Sequence, residues 1–369
     1  MKVICEGLDL SDAVLKVIKA AASKPVNPVL EGIKLKAEKD TLTLMATDLE
    51  LSIEKQIKAD VKIEGEAVVP GRIFTDFVRK INYENIEIAV GDDGRLKIKY
   101  IDSEGVFQCY KKEEFPLLKS VDTAQSFTIV KKELKDIINK IAFSAALDDA
   151  RPILKGILLE IDEITLTGVA LDGFRLALCV KPIENSTAKM SAVIPAKSLS
   201  EIAKLLDDSE DTVTIYIQKN YLLADLKDTR IVTRLLEGDF INYKQILPKD
   251  FTSTVTVNRA QLEDGIDRAS LLAKGDKNNL VKFDIKENLL TLTSHSDIGN
   301  IREKVAVGLD GKDILIAFNA KYFTDVLRNL SDEFIKIKFI SPVSPCIITG
   351  AQQDLEYYTY LILPVRIIS

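Results

Sequence analysis

The sequence predicts an α+β protein of three similar domains, each with two helices packed on antiparallel sheets. Three observations predict it: a long-period repeat, paired helical segments in every repeat, and short alternating runs between them. The repeat is marked twice. Val68-Val69-Pro70-Gly71-Arg72-Ile73-Phe74-Thr75-Asp76-Phe77-Val78 returns as Val193-Ile194-Pro195-Ala196-Lys197-Ser198-Leu199-Ser200-Glu201-Ile202-Ala203 and as Ala317-Phe318-Asn319-Ala320-Lys321-Tyr322-Phe323-Thr324-Asp325-Val326-Leu327, so Pro70, Pro195 and Asn319 lie 125 and 124 positions apart. Asp48, Asp172 and Asp297, which end the segments Leu44-Met45-Ala46-Thr47-Asp48, Gly168-Val169-Ala170-Leu171-Asp172 and Thr293-Ser294-His295-Ser296-Asp297, are spaced 124 and 125 apart. A solenoid unit spans about 20–50 residues, so this period marks a whole domain. The expected domains are 1–124, 125–250 and 251–369, with short linkers at 120–124 and 247–250.

Each repeat opens with a helical pattern, at 10–24, at 131–140 running on to 146, and at 258–274. Leu10, Val14, Leu15, Val17 and Ile18 show the spacing of an amphipathic helix. Alternating runs follow: Ile33 to Ala37 with Thr41 to Leu44, and Leu158 to Ile161 with Ile164 to Thr167, joined as hairpins by Glu38-Lys39-Asp40 and Asp162-Glu163. A second helix follows each landmark, at 71–81, 196–206 and 320–330, and further strands close the unit, among them 96–100 and 212–217.

With 46% hydrophobic residues, each domain can bury a core of its own. No apolar run reaches the ~18 residues of a membrane span, and residues 1–6 lack the pattern of a signal peptide, so a cytoplasmic protein with no membrane partner is expected. Cys5, Cys109, Cys179 and Cys346 are scattered, which argues against zinc and against a disulfide framework. The six helical segments hold 17 Lys or Arg against 9 Asp or Glu, a surplus of eight on a chain of net charge −6. Helices gathered on one side would make that side basic, suited to phosphates and blind to base sequence.

Little supports catalysis. His295, the single histidine, lies in a strand-like run, and no GxxxxGK[ST] or helix-opening GxGxxG is present. Asp48, Asp172 and Asp297 recur once per repeat, as turn residues would. No catalytic residue, metal or cofactor is expected.

The order and spacing of several short motifs resemble the bacterial sliding clamp family, the beta subunits of DNA polymerase III, over the whole chain. They are Asn27-Pro28-Val29-Leu30, Ala46-Thr47-Asp48-Leu49-Glu50, Phe115-Pro116-Leu117, Ala170-Leu171-Asp172-Gly173-Phe174-Arg175-Leu176, Glu237-Gly238-Asp239-Phe240 with Tyr243 and Leu247-Pro248-Lys249, Phe318-Asn319, and the tail Tyr360-Leu361-Ile362-Leu363-Pro364-Val365-Arg366. The resemblance implies the DNA clamp fold. It further implies a homodimeric head-to-tail ring, with helices lining a hole that encircles double-stranded DNA, and an accessory subunit that tethers a polymerase whose catalysis belongs to the holoenzyme. The family's basic DNA-facing positions fall on Lys24 and Arg72. Where relatives present a glutamine and paired tyrosines to DNA, this chain departs from the pattern with Asp148, Pro152 and Ile153.

The family's peptide pocket, shared by the replicative polymerase, the clamp loader and repair proteins, falls on Leu154, Leu171, Gly173, Phe174, Arg175, Leu176, Ile241, Gln245, Ile246, Asn319, Tyr322, Leu361, Leu363, Pro364, Val365 and Arg366. Phe174 and Ile241 replace the histidine and proline of many relatives, so a more apolar pocket is expected, and Ile367-Ile368-Ser369 is expected either to crowd or to extend its rim. Leu176 and Ile246 also read as core residues. The ring interface falls on Phe107, Cys109, Leu271 and Leu272. An alternative is a three-domain peptide-binding adaptor that never encircles DNA, and it would need neither ring closure nor a basic inner face.

Overall fold

The computed structural model describes all residues except 82, 92, 118–120, 122–124, 149, 274–278, 351–356 and 367–369. The expected boundary at 124/125 and the tail extension Ile367-Ile368-Ser369 therefore lie outside the described residues or border them.

The three repeats follow one plan. In the first, β1 (Lys2–Cys5) and α1 (Gly7–Val17) precede β2 (Gly32–Glu38), β3 (Thr41–Thr47), β4 (Leu51–Lys58), β5 (Asp60–Ile63) and β6 (Gly65–Pro70), and α2 (Gly71–Val78) leads into β7 (Ile86–Val90), β8 (Arg95–Tyr100) and β9 (Ser103–Gln108). The second has β10 (Ser126–Val130), α3 (Lys131–Ala142), β11 (Gly156–Asp162), β12 (Thr165–Leu171), β13 (Arg175–Pro182), β14 (Asn185–Ser186), β15 (Met190–Pro195), α4 (Ala196–Leu205), β16 (Thr212–Gln218), β17 (Tyr221–Asp225) and β18 (Thr229–Arg234). The third has β19 (Ser253–Asn258), α5 (Arg259–Ala273), β20 (Leu280–Lys286), β21 (Leu289–Ser296), β22 (Gly299–Gly311), β23 (Ile314–Asn319), α6 (Ala320–Arg328), β24 (Phe334–Phe339), β25 (Cys346–Gly350) and β26 (Tyr357–Ile362).

Two expected helices are shorter than their apolar pattern. The first starts at Gly7, not Leu10, where the Gly7 amide donates to the Tyr83 carbonyl at 2.9 Å and a Cβ would meet that oxygen at 2.7 Å. It ends in a 3-10 turn, Ile18–Ala20, because Ala21 is extended, and Lys24 takes a left-handed φ of 61° before Pro25. Lys24 is thus a loop residue, and Leu15 of the expected apolar stripe is exposed. The helix expected to reach 146 stops at Ala142, and the Ala146 amide turns to the Leu154 carbonyl. Both predicted hairpins form, Glu38↔Thr41 and Asp162↔Thr165.

By contacts the chain parts into two compact units, Met1–Lys131 with Lys204–Leu235, and Lys132–Ala203 with Leu236–Ser369. The division passes through the second repeat. In the first unit α1 packs on β3, β4 and α2, burying Leu10, Ala13, Val14 and Val17. Its sheets run β5-β1-β7-β8-β9 and, continuously, β10-β16-β17-β18-β4-β3-β2-β6. The second unit carries a 12-stranded sheet, β15-β11-β12-β13-β26-β25-β24-β19-β22-β21-β20-β23, with α5 against β20, β21, β22 and α6.

Continuity comes from two seams of one kind. In the first unit β4 pairs with β18, from Leu51↔Thr233 to Lys55↔Thr229. In the second unit β13 pairs with β26, from Arg175↔Ile362 to Val180↔Tyr357. The first seam contains Lys55, 6% exposed, with Nζ 2.5 Å from Asp228 Oδ2. The corresponding strand of the third repeat, β22, pairs over Gly299 to Ala306 with β21 on one side, and no strand among the described residues covers its other edge. Strand β9, the counterpart of β18 and β26, pairs with β8 and ends its sheet.

Candidate functional site

The turn between β12 and β13 organises the expected pocket. Asp172 Oδ1 accepts hydrogen bonds from the amides of Phe174 at 2.9 Å and Arg175 at 3.0 Å, and Gly173 supplies the left-handed φ of 91°. Asp48 builds the same turn in the first repeat, accepting from Glu50 and Leu51, with Leu49 at φ 78°. Asp297 makes no such bond among the described residues, because the third turn is shorter, closing Ser296 directly on Gly299.

Arg175 is the hub. Its side chain is 7% exposed, and the guanidinium donates from Nε to Asp172 Oδ2 at 3.1 Å, from Nη1 to Asp325 Oδ2 at 2.5 Å, and from Nη2 to the Phe143 carbonyl at 2.7 Å. It also lies over the Tyr322 ring at 4.8 Å and the Phe143 ring at 5.4 Å. Tyr322 therefore sits between this cation and Phe174, whose ring stacks on it at 6.1 Å and 19°. Burial and the Asp172 carboxylate raise the Tyr322 phenol above its ordinary pKa. Three of the five N–H donors of this buried cation have acceptors within the chain, which fixes Arg175 in the wall of the pocket.

The apolar floor is one cluster. Leu154, Leu171, Leu176 and Leu361 are buried in it together with Leu158, Tyr243 and Ile347, and Ile241 and Leu363 pack against it. The tail is laid across by two backbone bonds, Leu363 N to Phe174 O at 2.9 Å and Val365 N to Ala317 O at 2.8 Å. Pro364 between them is half-buried, and Arg366 is exposed. Phe174 is 58% exposed, an apolar ring presented to solvent beside this floor. Asn319 caps α6, its Oδ1 accepting from the Lys321 amide at 3.0 Å. Gln245 and Ile246 stand exposed on the turn Tyr243–Gln245 and its end; Ile246, at 40% exposure, is not the core residue its sequence suggested, whereas Leu176 is.

Sequence reasoning missed Asp325, Phe143 and Tyr243. Asp76, Glu201 and Asp325 occupy one position of the repeat, which was a legible signal for Asp325. The Phe143 contribution is a backbone carbonyl and has no sequence signature. Tyr243 closes the floor and donates from its hydroxyl to Glu160 at 2.6 Å. Beside it opens a cavity of about 660 Å³, lined by Glu160, Thr167, Leu178, Lys189, Tyr243 and Leu247 among others, that includes none of the expected pocket residues.

Many of the helical cations have partners within the chain. Lys16 pairs with Asp12, Lys131 with Asp207, Lys140 with Asp136, Arg259 with Glu263, Arg268 with Glu303 and Arg328 with Asp267, at 2.6–3.2 Å. Lys19, Lys132, Lys135, Lys197 and Lys204 are engaged as well. Lys24 and Arg72 are exposed, and neither has an ion pair among the described residues. Asp148 and Pro152 are exposed and Ile153 is half-buried.

At the expected interface positions, Phe107 lies on the edge strand β9 and packs edge-on against Phe74 at 5.5 Å and Phe77 at 5.2 Å. Cys109 is half-buried beside it, its thiol raised chiefly by burial. Leu271, at the end of α5, is 61% exposed, and Leu272 is half-buried.

Three family models of the DNA polymerase III beta subunit match this chain in order: the N-terminal domain over residues 1–119, the central domain over 128–242 and the C-terminal domain over 244–366. The beta sliding clamp of Staphylococcus epidermidis is 30% identical over 359 residues, 95% of each chain. A crystal structure of a putative DNA polymerase III beta subunit from Eubacterium rectale is 32% identical with a TM-score of 0.94, and that of the DNA polymerase sliding clamp from Bacillus subtilis is 29% identical with a TM-score of 0.95, each covering 100% of both chains. The repeats, the seams and these likenesses define a three-domain clamp of the α+β class. The chain belongs to the DNA polymerase III beta subunit family, the beta sliding clamps. It serves as a DNA sliding clamp for polymerase processivity and is an accessory subunit, not a catalyst. Among the described residues, no helix is long and apolar enough to cross a membrane.

Proposed function

We propose that the clamp is a head-to-tail homodimeric ring around duplex DNA, and that its partners dock a short peptide segment on the floor beside Arg175. The seams carry the ring: two strand pairings of one kind close within the chain, and β9 and the matching edge of β22 are left for a second copy. Phe107, Cys109, Leu271 and Leu272 supply the apolar part of that contact. The exposure of Leu271 is the kind an isolated subunit shows where a partner belongs. Two such contacts close after two copies, and a ring that holds by topology needs only weak phosphate contacts, from Lys24 and Arg72. The functional domains are 1–124, 125–250 and 251–369. The peptides come from the replicative polymerase, the clamp loader and repair proteins; catalysis resides in the rest of the DNA polymerase III holoenzyme, in the cytoplasm.

The peptide site takes its support from the exposed ring of Phe174 over an apolar floor of Leu154, Leu171, Leu176 and Leu361 with Ile241 and Leu363 at the margin, an anchor pocket in form. The experiment is retention on DNA. Loaded by a clamp loader with ATP onto a nicked circular plasmid, the protein is expected to coelute with it through gel filtration and to be lost when the plasmid is linearised. Equal retention on both forms would contradict encirclement and favour the peptide-binding adaptor.

A further inference from the structure

The internal repeat sets the register of the intermolecular seam, and with it the charges that meet there. The hairpins Glu38↔Thr41, Asp162↔Thr165 and Lys286↔Leu289 align β3, β12 and β21, and these strands pair Leu44 with Lys55, Gly168 with Cys179 and Leu292 with Glu303. Lys55, Cys179 and Glu303 are therefore one position, spaced 124 apart each time. On the other strand, Tyr221↔Arg234 and Asp225↔Arg230 match Arg95↔Gln108 and Lys99↔Glu104 at a spacing of 126. The turns agree in conformation too. Lys227 at φ 75° precedes Asp228-Thr229 as Ile101 at φ 49° precedes Asp102-Ser103.

The first seam pairs Thr229 with Lys55, Arg230 with Glu54 and Thr233 with Leu51, and the Gln56 amide donates to the Asp228 carbonyl. Carried to β9 and β22, that register sets Ser103 across from Glu303, Glu104 from Arg302, Phe107 from Gly299 and Asp102 from Lys304. We propose that the ring closes in this register, with Asp102 and Glu104 of one subunit paired to Lys304 and Arg302 of a second copy. The proposal rests on the ring reading above and adds its alignment and polarity.

All four residues are exposed, and none has an ion pair among the described residues. The first seam already holds opposite charges at one of these positions, Arg230 across from Glu54. Glu303 does not oppose the acidic strand, because Arg268 holds it at 2.9 Å. Lys99 lies across from Glu104 on its inner side, so the seam reads as a cation, carboxylate, cation ladder. Gly299 leaves the space that Phe107 needs: a Cβ there would meet only Leu272 Cδ1, at 3.8 Å, so the incoming ring lies against Leu272. One edge is acidic and the other basic, so like edges repel and only the head-to-tail contact is complementary.

The test is sedimentation velocity of the full chain at low micromolar concentration, with two double variants. One reverses β9, Asp102→Lys with Glu104→Lys; the other reverses β22, Arg302→Glu with Lys304→Glu. Each alone is expected to dissociate, its dimer Kd rising roughly tenfold or more as like charges face each other at both contacts. Mixed in equal amounts they should recover the dimer, because both contacts of the mixed ring are complementary, and recovery also shows that both variants are folded. Variants that dimerise as tightly as the parent would overturn the ion pairs while leaving the ring standing. Weakened variants that fail to recover on mixing, though folded by circular dichroism, would overturn the register. A monomeric parent chain would overturn the ring and this proposal together.

Discussion

Asp325→Asn keeps the shape of the side chain and removes the charge that receives Arg175 Nη1 at 2.5 Å. Arg175 is 7% exposed and Asp325 26%, so the pair is shielded without being sealed, and Asp172 and the Phe143 carbonyl retain two of the three bonds. Losing one partner of a fully buried pair costs about 3–5 kcal/mol. A single hydrogen bond to a charged group contributes about 1.5–3 kcal/mol, and with two bonds surviving the cost falls at the low end, about 1.5–2 kcal/mol. In a unit of this size that lowers Tm by roughly 3–8 °C. Releasing the guanidinium also loosens Tyr322, whose cation–π contact contributes ~0.5–1 kcal/mol, so a docked peptide weakens about two- to fivefold. Differential scanning fluorimetry reads the first effect. Fluorescence polarisation of a labelled peptide from a partner polymerase reads the second. Arg175→Lys moves both in the same direction, since an ammonium cannot reproduce the planar fork. An Asn variant that melts within about 1 °C of the parent and binds peptide equally well would refute the anchoring of the pocket through Arg175.

Leu363→Ala with Arg366→Ala is expected to lower peptide affinity at least about tenfold while the melting curve persists, because Leu363 lies at the margin of the floor and Arg366 is exposed on the tail that follows it; unchanged polarisation titrations would sink this. Leu271→Ala with Leu272→Ala should shift the ring to monomers in sedimentation velocity with little effect on subunit folding, as Leu271 is exposed; a dimer persisting at low micromolar concentration counts against it. Stability should hold up to about pH 9 and fall above it, first through the buried Cys5 and Cys346 thiols and then, above about pH 10, through the buried phenols. The cause is that burial, with Glu160 beside Tyr243 and Asp332 beside Tyr358, keeps these phenols protonated in the folded chain at pH values where the unfolded chain loses the protons. Melting curves from pH 8 to 11 check the sign, Tyr243→Phe should show a shallower decline, and a flat profile contradicts it.

Much of the fold was legible because the repeat carries it. The landmarks at Pro70, Pro195 and Asn319 each end a strand and open a helix, and the Asp48 and Asp172 turns follow from a side chain that bonds its own backbone. Helix ends were less legible where tertiary contacts decide them. Gly7 starts α1 because it lies against Tyr83, far along the chain. Leu154, Leu171, Leu176 and Leu361, named from the sequence, gather in one cluster, but the setting of Arg175 was not legible, because its acceptors include Asp325 and a backbone carbonyl. Net helix charge misled in part: Lys131, Arg268 and Arg328 are matched by carboxylates on neighbouring elements, which composition cannot reveal. Edge-strand pairing at Phe107 was expected, but the uncovered edge of β22 among the described residues follows only from the strand order.

Negative-stain electron microscopy of the purified chain at low micromolar concentration tests the ring most directly. Closed particles with a central hole and two-fold symmetry are the predicted result. Open crescents or single subunits at that concentration would contradict closure through β9 and β22.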